Sequence, residues 1–169
     1  MTGVQTCALP ISGKLVILKT DTLYALSCDA SNEDAVQKIF ALKNREFGKA
    51  LPILVSDIEQ GEIYAEFNDL ARRLESAFWP GPLTLILPSR GLLPSVVDGG
   101  AGTLALRAPN HPHILKLIKS LGHPIIGTSA NISGSHDIIA LDDIIKYFGT
   151  SVGSILDLDS GQSGFGIAF

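Results

Sequence analysis

The chain has 169 residues, 46% hydrophobic and 18% charged, with a formal net charge of −4. That is too apolar for a disordered chain and the wrong sign for a broad basic nucleic-acid face. No apolar run approaches the roughly 18 residues of a membrane span, and Gly 17 and Pro 9 follow no collagen or coiled-coil period.

The first twelve residues, MTGVQTCALPIS, lack the basic start and long apolar stretch of a secretory signal. They read as a non-native or disordered leader, and residues 13–169 as one domain. Leu15 to Leu18 is a short apolar run of buried-strand type. Ser31 or Asn32 can cap a helix with Glu33 and Asp34 in its first turn. Val36, Ile39, Phe40 and Lys43 then follow at i, i+3, i+4 and i+7. Lys43 thus comes round to the apolar face in the last turn. There it either snorkels at the core edge or points into a cleft.

Leu51 to Val55 is expected as a second strand. Asn68 can cap a helix with Leu70, Leu74 and Phe78 on one side, ended by Pro80 and Gly81. Leu83 to Leu87 is a third strand. Thr103 to Arg107 alternates, with Leu104 and Leu106 on one face and Thr103, Ala105 and Arg107 on the other. Ile114, Leu117, Ile118 and Leu121 predict an amphipathic helix stopped by Gly122. Pro124 to Gly127, Leu141 to Phe148 and Ser154 to Asp157 predict a strand, a helix and a last strand. This mixture without repeat or linker is an α/β pattern in one domain.

Four polar clusters interrupt the apolar text: Lys19 to Tyr24, Lys43 to Arg45 with Lys49 behind, the strand of Thr103 and Arg107, and Thr128 to Gly134. Segments beyond strand ends are where α/β folds hold ligands. Two cations one residue apart at a helix end suit an anion, or simply complement the helix dipole. An inward Arg107 requires an anionic partner. There is no P-loop, dinucleotide fingerprint, G-x-S-x-G or H-E-x-x-H. His111 and His113, which flank Pro112, read as surface and capping residues. Cys28 reads as a small buried residue. With Cys7 it forms no CxxC or metal spacing, and two unpatterned thiols suggest a reducing, cytoplasmic setting. No metal ligands are assigned.

Taken together and in order, these clusters resemble the YrdC-like threonylcarbamoyl-AMP synthases, also called TsaC. KTDTLYAL from Lys19 matches P-T-[DE]-T-x-Y-G-L, and Lys43-Asn44-Arg45 matches K-x-R. Trp79 to Thr84 matches W-P-G-P-x-T, Arg107-Ala108-Pro109 matches R-x-P, and Ser129-Ala130-Asn131 matches S-x-N. Lys19, Ala25, Glu46 and Ala50 depart from the pattern. The chain also stops before the Ser-Thr-hydrophobic run that usually follows in the family.

The resemblance implies a single-domain open twisted mixed sheet with flanking helices around a concave cleft. It implies synthesis of threonylcarbamoyl-AMP and pyrophosphate from L-threonine, bicarbonate or CO2, and ATP. The product serves threonylcarbamoyladenosine modification of tRNA through partner proteins. Lys43 and Arg45 are then catalytic and bind ATP together with Thr103 and Asn131. Thr20, Arg107 and Ser129 bind threonine. Mg2+ arrives with ATP, without a protein-bound metal cage. The alternative is a non-catalytic module of the same fold that binds double-stranded or ribosomal RNA. Its affinity would fall steeply with salt.

Overall fold

The computed structural model describes residues 13–156 and the backbone of 166–168. The expected leader and the strand end at Asp157 lie outside these residues.

Among the described residues, nine strands and six helices follow one another in mixed order. They are β1 Val16–Lys19, β2 Tyr24–Ser27, α1 Glu33–Lys43, β3 Ile53–Leu54, α2 Ile58–Tyr64, α3 Asp69–Phe78, β4 Leu85–Pro88 and α4 Ser95–Asp98. After these come β5 Thr103–Arg107, α5 Pro112–Leu121, β6 Ile125–Ile126, β7 Thr128–Ser129, α6 Leu141–Phe148, β8 Ser154–Leu156 and β9 Gly166–Ala168.

The α/β class is as expected, but the strands form two mixed sheets rather than one. The first has the order β7-β2-β1-β8-β9 and the second β4-β5-β3-β6. In the first, β1 pairs antiparallel with β2 and parallel with β8. In the second, β5 pairs antiparallel with β4 and parallel with β3. Two buried clusters join them among the described residues. The larger takes Ile17 and Leu26 from the first sheet and Ile53, Leu85 and Leu106 from the second, and the smaller takes Val16 and Leu18 from the first and Leu54 and Ile125 from the second.

The chain passes from one sheet to the other at Gly127. Its N–H donates to Pro52 O at 2.9 Å. A Cβ there would lie 2.5 Å from Leu54 Cγ, so the crossing needs a residue without a side chain. Two residues later comes Ser129.

Local chemistry explains the helices that matter. Asn32 Oδ1 accepts from Ala35 N at 3.0 Å and starts α1. Asn68 Oδ1 accepts from Ala71 N at 2.8 Å and starts α3. The expected inner face of α3 is corrected. Leu70 and Phe78 are 61% and 54% exposed, while Ala71 is buried. With Leu74 partly buried, the helix docks through the narrow side of Ala71 and Leu74. His111 is corrected too: it holds the N-cap position of α5 without a side-chain cap bond, and it is 5% exposed rather than a surface residue. Cys28 is fully buried, and burial pushes its thiol pKa far up, which suits a packing residue.

Candidate active site

Two clusters of the expected residues form, one around Lys43 and one around Arg107. In the first, Lys43 ends α1. Asn44 follows in the left-handed conformation, φ 50°, which asparagine tolerates better than most residues. The Asn44 N–H donates to Ala41 O and the Arg45 N–H to Phe40 O, turning the chain back over the helix end. That exit sends Lys43 inward, at 1% exposure, and leaves Arg45 on the rim.

The Lys43 ammonium donates to Ser129 O, to Asn131 O at 2.7 Å and to Asn131 Oδ1 at 2.8 Å. Those three bonds use its three protons. Burial, and secondarily the charge of Arg45, push its pKa down to about 8, against a smaller opposing pull from Asp137. Ser129 Oγ also donates to Asn131 Oδ1, at 2.8 Å. Arg45 is steadied by Nη2 donating to Ala50 O at 2.8 Å. Lys43, Arg45, Lys49, Ser129 and Asn131 all line one cavity of about 430 Å3. Lys43 does not snorkel to solvent: its ammonium is held within the wall of this cavity by Ser129 and Asn131.

The second group is built on Arg107 at the end of β5. Its Nε donates to Gly81 O at 2.9 Å and its Nη1 to Thr22 Oγ1 at 3.1 Å. Its Nη2 pairs with the Asp21 carboxylate. Asp21 is thus the anion that an inward arginine needs, and its other oxygen accepts from Asn110 N at 2.9 Å. Thr20 is buried, and its hydroxyl shapes the turn between β1 and β2. It donates to Leu23 O at 2.7 Å and accepts from the N–H groups of Thr22 and Leu23 at 3.2 Å.

The W-P-G-P stretch seats the arginine. Gly81 N donates to Ala108 O at 2.9 Å while Gly81 O holds Arg107. A Cβ on Gly81 would come 2.3 Å from Phe78 O, so the position excludes larger residues.

The two groups adjoin along β2. Ala130 N donates to Tyr24 O at 2.9 Å, one residue past the turn that carries Asp21 and Thr22. Thr103 stands apart. It lies at the far end of β5, paired with Pro88, about 13 Å along the strand from Arg107. Asp21, Thr22 and Asp137 were not singled out by sequence reasoning. The first two lie inside the quoted KTDTLYAL motif, which was the available signal. For Asp137 the sequence offers none. Among the described residues, no group of three or more His, Cys, Asp or Glu is placed to hold a metal ion.

The fold and this site define a mixed α/β protein with a cationic cavity beside a clamped arginine, suited to a small anionic ligand. The Sua5/YciO/YrdC family model, described as "Telomere recombination", matches residues 11–166, and the chain belongs to that family. It is 39% identical over 156 residues to a threonylcarbamoyl-AMP synthase of Pyrococcus abyssi, covering 92% of this chain and 45% of that protein. It therefore spans about half the length of that relative. It is 35% identical over 150 residues to a threonylcarbamoyl-AMP synthase of Idiomarina loihiensis, covering 87% of this chain and 81% of that protein. The crystal structure of P. abyssi Sua5 complexed with L-threonine superposes with a TM-score of 0.83 at 36% identity, over 92% of this chain and 50% of that one. Among the described residues, no helix is long and apolar enough to cross a membrane.

Proposed function

We propose that the protein is an L-threonylcarbamoyladenylate synthase. It would join L-threonine, bicarbonate or CO2, and ATP into threonylcarbamoyl-AMP and pyrophosphate, a cytoplasmic step in modifying tRNA. The observation that carries this reading is the pairing of two sites. A buried lysine and an arginine line one cavity, and a guanidinium clamped by Asp21 and Gly81 is reached through β2, whose Tyr24 O accepts from Ala130 N one residue past the turn that carries Asp21 and Thr22. The names of the relatives and the threonine complex of P. abyssi Sua5 support the choice of substrate.

The chemistry asks little of protein nucleophiles. N-carboxylated threonine attacks the α-phosphorus, its oxygen forms the new P–O bond, and pyrophosphate leaves. Lys43 and Arg45 would hold the phosphates, which arrive with Mg2+ as part of the substrate, and offset the charge that develops on the leaving group. Asn131 would hydrogen-bond the nucleotide, with Thr103 further along β5 serving its far end. Arg107 would take the threonine carboxylate with its planar fork, exchanging the carboxylate of Asp21 for that of the substrate. Ser129 would orient the carbamate end, and Thr20 would act through the turn it shapes. Catalysis then rests on proximity and fixed charge. The product would pass to partner proteins that act on tRNA, and any direct contact with RNA would be weak.

Supplying threonine, bicarbonate and Mg-ATP and measuring pyrophosphate tests the proposal. Threonine-dependent release is expected, and Lys43→Ala should lower its rate by about 100-fold, the scale of removing one preorganised electrostatic group. Release no greater than in a threonine-free control overturns it.

A further inference from the structure

Two of the residues expected to grip an anion, Lys43 and Asn131, have their hydrogen-bonding capacity taken up within the protein. Lys43 spends its three protons on Ser129 and Asn131. The Asn131 carboxamide has room for four hydrogen bonds and makes four. Its Oδ1 accepts from Lys43 and from Ser129 Oγ. Its Nδ2 donates to Ser135 O at 2.9 Å and to Asp137 Oδ1 at 3.2 Å. A ligand can therefore reach Asn131 only by displacing one of these partners.

The four differ in how firmly they are held. The lysine is buried, and Ser129 is fixed by its strand pairing with Ala25. Ser135 offers a backbone carbonyl, whose own N–H donates to Ile132 O at 2.9 Å. Asp137 is exposed and makes the longest of the four bonds. It is also the one partner that resembles a ligand: a carboxylate, charged, next to the cationic cavity. Its charge reaches Lys43, where it opposes the effect of burial.

We infer that Asp137 is an internal anion that occupies the ligand's place on the Asn131 carboxamide and is exchanged for a phosphate oxygen when a polyphosphate enters the cavity. The exchange favours ligands bearing several charges. One carboxylate meets Asn131 and the field of Lys43, whereas a triphosphate or pyrophosphate also meets Arg45 and Lys49 on the same wall. Asp137 thus sets a threshold that weak single anions do not pass. This inference rests on the anion-binding part of the function proposed above, and not on the threonine chemistry.

The test is calorimetric titration of ATP and of pyrophosphate into the wild-type protein, Asp137→Ala and, as a control for net charge, Glu66→Ala. Glu66 is an exposed acidic residue outside the site. Removing the competitor should tighten both ligands by about three- to tenfold, the range of an exposed charge-assisted hydrogen bond. Glu66→Ala should stay within about twofold of wild type, since remote surface charges are screened. An Asp137→Ala protein that binds more weakly or equally, or a Glu66→Ala protein that gains as much, overturns the inference. A merely structural role, in which Asp137 holds Asn131 ready for the ligand, predicts the weaker binding. Failure of every variant to bind either polyphosphate at millimolar concentration overturns it along with the anion reading of the cavity. The expected tightening without any threonine-dependent pyrophosphate release would leave Asp137 as inferred and remove the synthase reading alone.

Discussion

Lys43 shows how burial changes the chemistry of a single residue. A lysine in water keeps its charge well above pH 9. Here burial brings the pKa down to about 8. The sign follows directly: the ammonium is present below that pH and is lost as pH rises through it. Pyrophosphate affinity should therefore hold from pH 6 to 7.5 and fall above 8, by up to about tenfold per unit for one lost proton. Titrations at pH 7, 8 and 9 check this, and a flat profile would mean that Lys43 does not face the ligand. The helical spacing revealed Lys43 because i, i+3, i+4, i+7 is a local rule. Asp21 could not be matched to Arg107 in that way. The two sit 86 residues apart, and only the fold brings them together.

At the scale of the element, the exit of α1 carries the site. Asn44 at positive φ lets the chain reverse so that Lys43 and Arg45 face one cavity from opposite sides of the turn. Asn44→Val should cost about 1 to 2 kcal/mol, because a β-branched residue resists the left-handed conformation. Asn44→Gly should cost little or nothing. Urea denaturation of both variants reads the difference, and equal stabilities would refute the role given to this turn. Other elements mark the limits of pattern reading. The α6 helix falls on its expected span, Leu141–Phe148, because its period and its stopping glycine agree. In α3 the apolar residues 70, 74 and 78 formed a stripe on paper, yet the tertiary contact chose Ala71 and Leu74. Strand β2 went unread because its residues follow a four-residue turn within the polar motif, and strands of two residues such as β7 carry no period at all.

For the molecule as a whole, the two sheets share both buried clusters of the described residues. No local pattern could have divided the strands between sheets, since that assignment lies in long-range pairing. The shared core predicts one cooperative transition. The single tryptophan, Trp79, contacts Phe67 at the α3 end, while backbone dichroism reports both sheets and all helices. Urea curves from tryptophan fluorescence and far-ultraviolet dichroism should coincide, and separate midpoints would show that the sheets unfold independently. Truncating Leu26, fully buried in the first sheet, should lower both curves together by about 2 to 5 kcal/mol.

The ties that close the site also place it in time. Lys43 meets Ser129 across 86 residues and Asn131 across 88, and Arg107 meets Thr22 across 85. Each closure must pay for ordering a long intervening loop before it returns any contact energy. No short segment holds either group: the Arg107 cluster draws on residues from Asp21 to Asn110 and the Lys43 cluster on residues from Lys43 to Asn131. Both clusters are therefore products of long-range folding, and no isolated helix or hairpin of the chain carries one. A fragment ending before Ser129 carries α1 and its left-handed exit but lacks the acceptors that hold the Lys43 ammonium.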